Sequence, residues 1–332
     1  MATLPRRVGP GLAAIAAALL ALAPTGPVHA AEGPGPDPQA GSQTGGPAPS
    51  PLEEVVVTSP EPRYVAPTTR DRIGRIWAPV LINGKGPYRL VLDTGASRSA
   101  LVQKVVDELG LPVRTDSVKL RGVTGSAIVS SVRVDTLEFG ELAIEDTTVP
   151  IVADAFGGAE GVLGGEGLEG KRILIEFGRD RISIARSHRR AAVPGYSVVP
   201  FTHSPSRGMR VEVTVGSVKA VGLIDTGAQM TVGNLALREA LARRRGQHDA
   251  YEDAVIGVTE DIQQAARVRI PSITAGQLIV RNAEIMFSDL YIFDHWQLAS
   301  RPALLIGMDV LGVLDTLVID YALDELQIRT RY

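Results

Sequence analysis

The chain has 332 residues, 45% of them hydrophobic and 21% charged, with a formal net charge of −3. That is the composition of a globular protein with room for one large core or two modest ones, and it sets up no field that would draw nucleic acid or an anionic membrane. The absence of cysteine excludes disulfides, thiol catalysis and Cys-type zinc sites, and an aromatic content of 5% offers no stacking platform for single-stranded nucleic acid.

At the N-terminus, Arg6 and Arg7 precede an Ala/Leu-rich run from Leu12 to Leu22, and Val28-His29-Ala30 is a small-x-small cleavage site. This is the pattern of a signal peptide over 1–30, cut after Ala30. A retained anchor is the alternative, but the run is short for a bilayer and is followed by Pro24 and Pro27. The expectation is export to the periplasm or the medium, with no stable membrane span after cleavage. Residues 31–70, rich in Pro, Gly, Ser and Ala, read as a disordered linker, either tether or propeptide remnant.

Ordered sequence is expected from Arg72. The β-type runs from Trp77 to Ile82 and from Tyr88 to Leu92 flank a turn signal, Asn83 to Pro87, and lead into Asp93-Thr94-Gly95-Ala96. Ser99 is placed to cap a helix from Leu101 to Leu109 that ends at Gly110. The same order then returns. An alternating strand from Val211 to Val215, a Gly216-Ser217 turn and a run from Val218 to Ile224 lead into Asp225-Thr226-Gly227-Ala228, 132 residues after the first motif. Asn234 is placed to cap a helix from Leu235 to Arg245, ending at Gly246.

Further landmarks repeat in order: Gly122-Val123-Thr124 with Gly257-Val258-Thr259, Gly140-Glu141-Leu142 with Gly276-Gln277-Leu278, and Val162-Leu163-Gly164 with Leu305-Ile306-Gly307. Ile173 to Phe177 likewise resembles Leu317 to Tyr321. Repeats in one order mean an internal duplication. The fold class is therefore mainly β, as two pseudo-symmetric lobes with one short helix each: 71–185, an inter-lobe linker over 186–195, and 196–332. The basic linker reads as a solvated connection.

Each Asp-Thr-Gly ends an apolar strand. In this reading the glycine lets the backbone turn without a Cβ clash, and each threonine hydroxyl can bond across the symmetry axis to the other turn. Asp93 and Asp225 then lie side by side. Two adjacent carboxyls do not both ionise cheaply, so they share a proton; one activates a water and the other donates to a carbonyl.

These residues resemble the retropepsin-like and pepsin-like aspartic proteases, and more closely the two-lobed, single-chain retropepsin-type proteases of bacteria. The resemblance covers Arg72 to the C-terminus. It implies two acid-protease β-barrel lobes, aspartic endopeptidase activity on peptide or protein substrates, and no cofactor or metal. It implies catalysis by Asp93 and Asp225, turn support from Thr94, Gly95, Thr226 and Gly227, and apolar-apolar-Gly segments behind the turns at Val162, Leu163, Gly164 and at Leu305, Ile306, Gly307. Flap hairpins are implied around Arg121 to Ser126 and Ile256 to Glu260, without the flap tyrosine of pepsin-like enzymes. Ala96 and Ala228 stand where pepsin-like enzymes carry a hydroxyl that bonds a carboxylate, which points to a raised dyad pKa and a mildly acidic optimum.

Other readings carry less. Gly165 to Gly170 fits G-x-G-x-x-G, but a β-type run follows where a dinucleotide site needs a helix. Glu166, Asp309 and Asp320 read as turn or surface carboxylates, and Trp77 and Trp296 as packing residues. The alternatives left open are a catalytically silent peptide-binding module on the same scaffold, and a homodimer in place of a monomer.

Overall fold

The computed structural model describes residues 76–154, 156–204, 208–245, 251–257 and 262–331, with the two-residue strands Ala16–Ala17 and Ala66–Pro67. Apart from those two pairs, the expected signal peptide and the Pro/Gly-rich linker lie outside the described residues. Among the described residues no helix is long and apolar enough to cross a membrane.

The chain is mostly β, built as two six-stranded barrels. Going round the first barrel, Trp77–Ile82 pairs with Lys85–Leu92, which lies parallel to Gly161–Leu163. That strand pairs with Ala100–Val102, which lies parallel to Leu142–Val152, and Ser131–Phe139 closes the ring on Trp77–Ile82. The second barrel repeats the circuit. Gly208–Val215 pairs with Val218–Ile224, which lies parallel to Ala303–Ile306, then Val232–Gly233, Leu278–Phe287 and Ile262–Ala275, which returns to Gly208–Val215. The duplication seen in the sequence is thus a duplication of strand order.

The strands that deliver the two aspartates change character along their length. Lys85–Leu92 starts with the exposed residues Lys85, Gly86 and Pro87, alternates through Tyr88 and Arg89, and ends in the consecutive buried residues Leu90, Val91 and Leu92. A strand that becomes continuously apolar is covered on both faces, and here the covered end is the one bearing Asp93.

A third sheet joins the halves, in the order Ser197–Ser204, Glu325–Arg329, Thr316–Asp320, Lys171–Glu176, Arg181–Arg186. At its centre Lys171–Glu176 pairs antiparallel with Thr316–Asp320, and Leu174 faces Val318. These are corresponding residues of the two repeats, so the pseudo-two-fold axis passes through this pair. No helix or strand lies between Arg186 and Ser197.

Three details differ from the sequence reading. The second strand of the first hairpin starts at Lys85, so the turn is only Asn83-Gly84. The first helix is Gln103–Leu109, because Ala100–Val102 is drawn into the barrel between two strands, and Val102 rather than Ser99 precedes it. The second lobe holds two more short helices, Tyr291–His295 and Met308–Leu311, so one helix per lobe is an undercount. The helix Leu235–Arg245 begins where expected, with Asn234 Oδ1 accepting from Leu237 N at 2.9 Å. Its expected stop, Gly246, lies outside the described residues.

Candidate active site

Asp93 and Asp225 come together where the two aspartate-bearing strands end, at the junction of the lobes, and both are almost wholly buried. Each carboxyl is held in the same way by its own turn. Asp93 Oδ1 accepts from Gly95 N at 2.8 Å and Ala96 N at 2.9 Å; Asp225 Oδ1 accepts from Gly227 N and Ala228 N, both at 2.9 Å. This leaves the two carboxyls beside one another, near enough for the charge of Asp225 to act on Asp93.

The threonines lock the turns together. Thr94 Oγ1 donates to Ile224 O at 2.8 Å and accepts from Thr226 N at 3.1 Å. Thr226 Oγ1 donates to Leu92 O at 2.6 Å and accepts from Thr94 N at 3.1 Å. Four bonds between buried partners fix the spacing of the aspartates, and burying those groups unpaired would cost about 1–3 kcal/mol each.

The glycines avoid a Cβ clash, as the sequence reading expects, and the clash avoided is with the other turn's carboxyl. Neither Gly95 nor Gly227 has a positive φ, so neither is needed for an unusual backbone. Each is needed for room. A Cβ on Gly95 would sit 2.9 Å from Asp225 Cγ, and one on Gly227 would sit 2.3 Å from Asp93 Cγ. Each repeat's glycine is the seat of the other repeat's carboxyl.

Behind each turn runs its apolar-apolar-Gly segment. Asp93 N donates to Leu163 O at 3.0 Å, and Asp225 N to Ile306 O at 3.1 Å. Val162 and Leu305 are buried in the parallel pairings beside them. A Cβ on Gly164 or Gly307 would strike the main chain of Arg98 at 2.3 Å or Met230 at 2.6 Å, so chain and turn are in direct backbone contact there.

Glu166 and Asp309 are not surface carboxylates. Ser99 N donates to Glu166 Oε1 at 2.6 Å, while Ser99 Oγ accepts from Gly164 N at 3.1 Å. In the second lobe Thr231 N and Oγ1 donate to Asp309 at 3.0 and 2.7 Å, and Thr231 Oγ1 accepts from Gly307 N at 3.1 Å. Burial pushes both carboxyls above the ordinary range, against the opposing effect of these bonds. The repeat offset could have revealed the pair: Ser99 and Thr231 are 132 residues apart, like the aspartates, and each carboxylate lies two residues after its supporting glycine. Asp320 is also buried, bonding Ser187 Oγ at 2.8 Å and Ala322 N at 3.0 Å.

Asp93 is pushed well above the ordinary carboxyl range, first by burial and then by the charge of Asp225; the backbone N–H groups of Ala96 and Gly95 oppose this without cancelling it. Tyr321 lies partly buried near Asp93, and its hydroxyl is pushed up as well, by desolvation and then by the charge of Asp93. A cleft of about 660 Å³ opens beside the first turn, lined by Thr94, Ala96, Arg98, Glu166, His203 and Tyr321 among others.

Strands Val118–Arg121 and Ser126–Val129 form the first flap hairpin, and Gly122 N donates to Gly125 O at 2.8 Å in its turn. Strands Tyr251–Gly257 and Ile262–Ala275 form the second, whose expected tip lies mostly outside the described residues. Trp296 is buried in an apolar cluster, as a packing residue should be; Trp77 is partly buried, with the Arg89 guanidinium 4.8 Å from its ring centroid. The G-x-G-x-x-G segment runs straight into the strand Lys171–Glu176. Among the described residues no group of three or more His, Asp or Glu side chains is placed to hold a metal ion.

Comparison with known proteins agrees with this architecture. The profile of the family described as aspartyl protease matches residues 78–166 and 211–310, one stretch in each repeat and together more than half the chain. The crystal structure of an aspartic proteinase from Irpex lacteus superposes with a TM-score of 0.53 at 15% identity, over 81% of this chain and 97% of that one, which is a likeness of fold. No curated protein matches the sequence.

Proposed function

The chain belongs to the aspartyl protease family, and from that premise we propose that it is an endopeptidase working through Asp93 and Asp225. The observation that carries this is the pair of buried carboxyls, each seated on the other repeat's glycine and raised in pKa at Asp93. The raised pKa supports a single proton shared between the two carboxyls. The ionised partner takes a proton from a water whose oxygen attacks the scissile carbonyl carbon, while the protonated partner gives its proton to the carbonyl oxygen. The resulting gem-diol collapses as the amide nitrogen takes a proton from the dyad and the C–N bond breaks. The water is consumed, and one carboxyl and one amine are released. Since one chain supplies both carboxyls, one chain suffices.

Digestion of a peptide library across a pH series tests this. Internal cleavage is expected, with rate proportional to enzyme concentration on dilution and a maximum in mild acid. In strong acid both carboxyls are protonated and no base remains. The basic limb, where the shared proton is lost, is displaced upward from the ordinary carboxyl range of about 4. A maximum in strong acid contradicts the raised dyad. Binding of peptides without cleavage at any pH makes the chain a silent peptide-binding module instead.

The N-terminal pattern of Arg6, Arg7, the apolar run and Val28-His29-Ala30 supports export to the periplasm or the medium. Protein recovered from outside the cytoplasm is then expected to begin at Ala31. An intact Met1 on the recovered protein contradicts cleavage.

A further inference from the structure

The first flap hairpin belongs to the first lobe, yet its tip is held by the second. Val123, in the turn between Val118–Arg121 and Ser126–Val129, is fully buried among residues of the second repeat that include Leu223, Ala228 and Phe293. Its carbonyl accepts from Ile292 N, in the helix Tyr291–His295, at 3.1 Å. Leu223 stands two residues before Asp225 and Ala228 three after it. The hairpin therefore bridges from lobe to lobe beside the paired aspartates, and entry from that side requires its tip to lift.

The join carries a charge conflict. His295 ends the helix that holds the tip, and its ring stacks on Tyr291 with centroids 6.2 Å apart and planes 10° apart. Arg121 and Lys119, two and four residues before Val123 on the hairpin, act on the imidazole with their positive charges. On the helix itself, Asp294 beside His295 is exposed; from the strand Gly208–Val215, Arg210 donates to Trp296 O at 3.1 Å. Among the described residues, both groups whose charge acts on His295 are cations. Lysine and arginine keep their charge from neutral pH into acid, while a histidine gains one there. We propose that this join is a pH latch: with His295 neutral the hairpin tip stays on the second lobe, and protonation of His295 sets a third positive charge against Arg121 and Lys119 and releases it, opening the cleft beside the aspartates in acid.

The sign follows from linkage. Burial, and then the charges of Arg121 and Lys119, hold the imidazole below its ordinary value of 6.5 while the tip is docked. Lifting the tip takes those charges away and lets the value return toward 6.5. The docked state is therefore favoured in full above pH 6.5 and loses ground as the pH falls below it. His295 is partly exposed, so water screens the repulsion and each pair contributes modestly.

The latch is measured without turnover, so its failure and that of the endopeptidase reading are separate results. Amide hydrogen exchange of residues 118–129 is followed on the full chain at about pH 7.5 and about pH 5, corrected for the intrinsic pH dependence of exchange. Wild-type exchange there is expected to quicken about 3- to 10-fold in acid, with the barrel strand Ser131–Phe139 unchanged. His295→Gln is expected to stay protected at both pH values, and His295→Arg to exchange at least about 3-fold faster than wild type at the higher one. The double variant K119Q/R121Q should lose the acid response with His295 still in place. Salt at 1 M, which cuts the screening length to about 3 Å, should shrink the wild-type response. Equal protection of the wild-type hairpin at both pH values overturns the latch, as does an undiminished acid response in His295→Gln or in K119Q/R121Q.

Discussion

Asp93→Asn is expected to abolish peptide hydrolysis and, in the same molecule, to make the fold harder to unfold at neutral pH. The loss of activity follows from removing one of the two carboxyls that share the proton, a change worth at least about 10³-fold where acid–base catalysis carries the step. The gain in stability follows from the direction of the Asp93 shift. Its folded pKa lies well above the ordinary carboxyl value of 3.8 because burial and the Asp225 charge outweigh the two backbone N–H bonds. A carboxyl with a raised folded pKa favours the fold while it is protonated, below its unfolded pKa. It loses that contribution as pH rises through the folded value. At neutral pH the unfolded Asp93 is ionised, so the wild type folds only by taking up a proton or by burying a second charge beside Asp225, and the neutral amide of Asn does neither. The melting temperature of Asp93→Asn should exceed that of wild type at pH 7, by about 2–4 °C per kcal/mol of repulsion removed in a fold of this size. The two should converge below pH 3.8, where the wild-type carboxyl is protonated in both states. Paired thermal melts at the two pH values check this. A variant less stable than wild type at pH 7 defeats the account, whatever its activity.

The same balance explains why the pair was legible in the sequence and its supports were not. Asp93 and Asp225 stand out because a rare tripeptide recurs after an apolar strand, and the barrel circuits then follow the repeated landmarks strand for strand. Glu166 and Asp309 do not stand out, because an acidic residue after a glycine usually caps a solvated turn. Only burial reveals that each one bonds the residue six positions after a dyad aspartate, Ser99 or Thr231. The start of the first helix was misread for a related reason. Ser99 has the chemistry of an N-cap, but its hydroxyl is already committed to Gly164 N. Local preference yields where a tertiary partner takes the same group. The burial of Val123, from the turn between Val118–Arg121 and Ser126–Val129, among Leu223, Phe293 and Trp296 could not be read at all, since those partners lie far along the chain.

Gly227→Ala is expected to cost at least about 100-fold in activity, because the added methyl falls where the Asp93 carboxyl of the other repeat must be. Its Cβ would lie 2.3 Å from both Cγ and Oδ2 of Asp93, and those atoms belong to a buried group with no free space to enter. The backbone does not object: φ at Gly227 is not positive, so alanine is tolerated locally and the whole effect is steric. Either Asp93 leaves its bonds to Gly95 N and Ala96 N, or the two turns separate and strain the threonine bonds. Both displace one carboxyl from the other by a substantial fraction of an ångström, and overpacking of this kind costs about 1–3 kcal/mol of stability. Gly95→Ala, at 2.9 Å from Asp225 Cγ, should show the same defects to a lesser degree. Gly110→Ala supplies the contrast. That glycine has φ +66 at the end of the first helix with nothing within 4 Å of the added Cβ, so its cost is conformational, about 1 kcal/mol, with kcat untouched. Measured together, kcat and melting temperature should rank Gly227→Ala below Gly95→Ala in activity, with Gly110→Ala destabilised but fully active. Near-normal turnover in Gly227→Ala would mean that the two carboxyls reach their working distance without the space this glycine leaves.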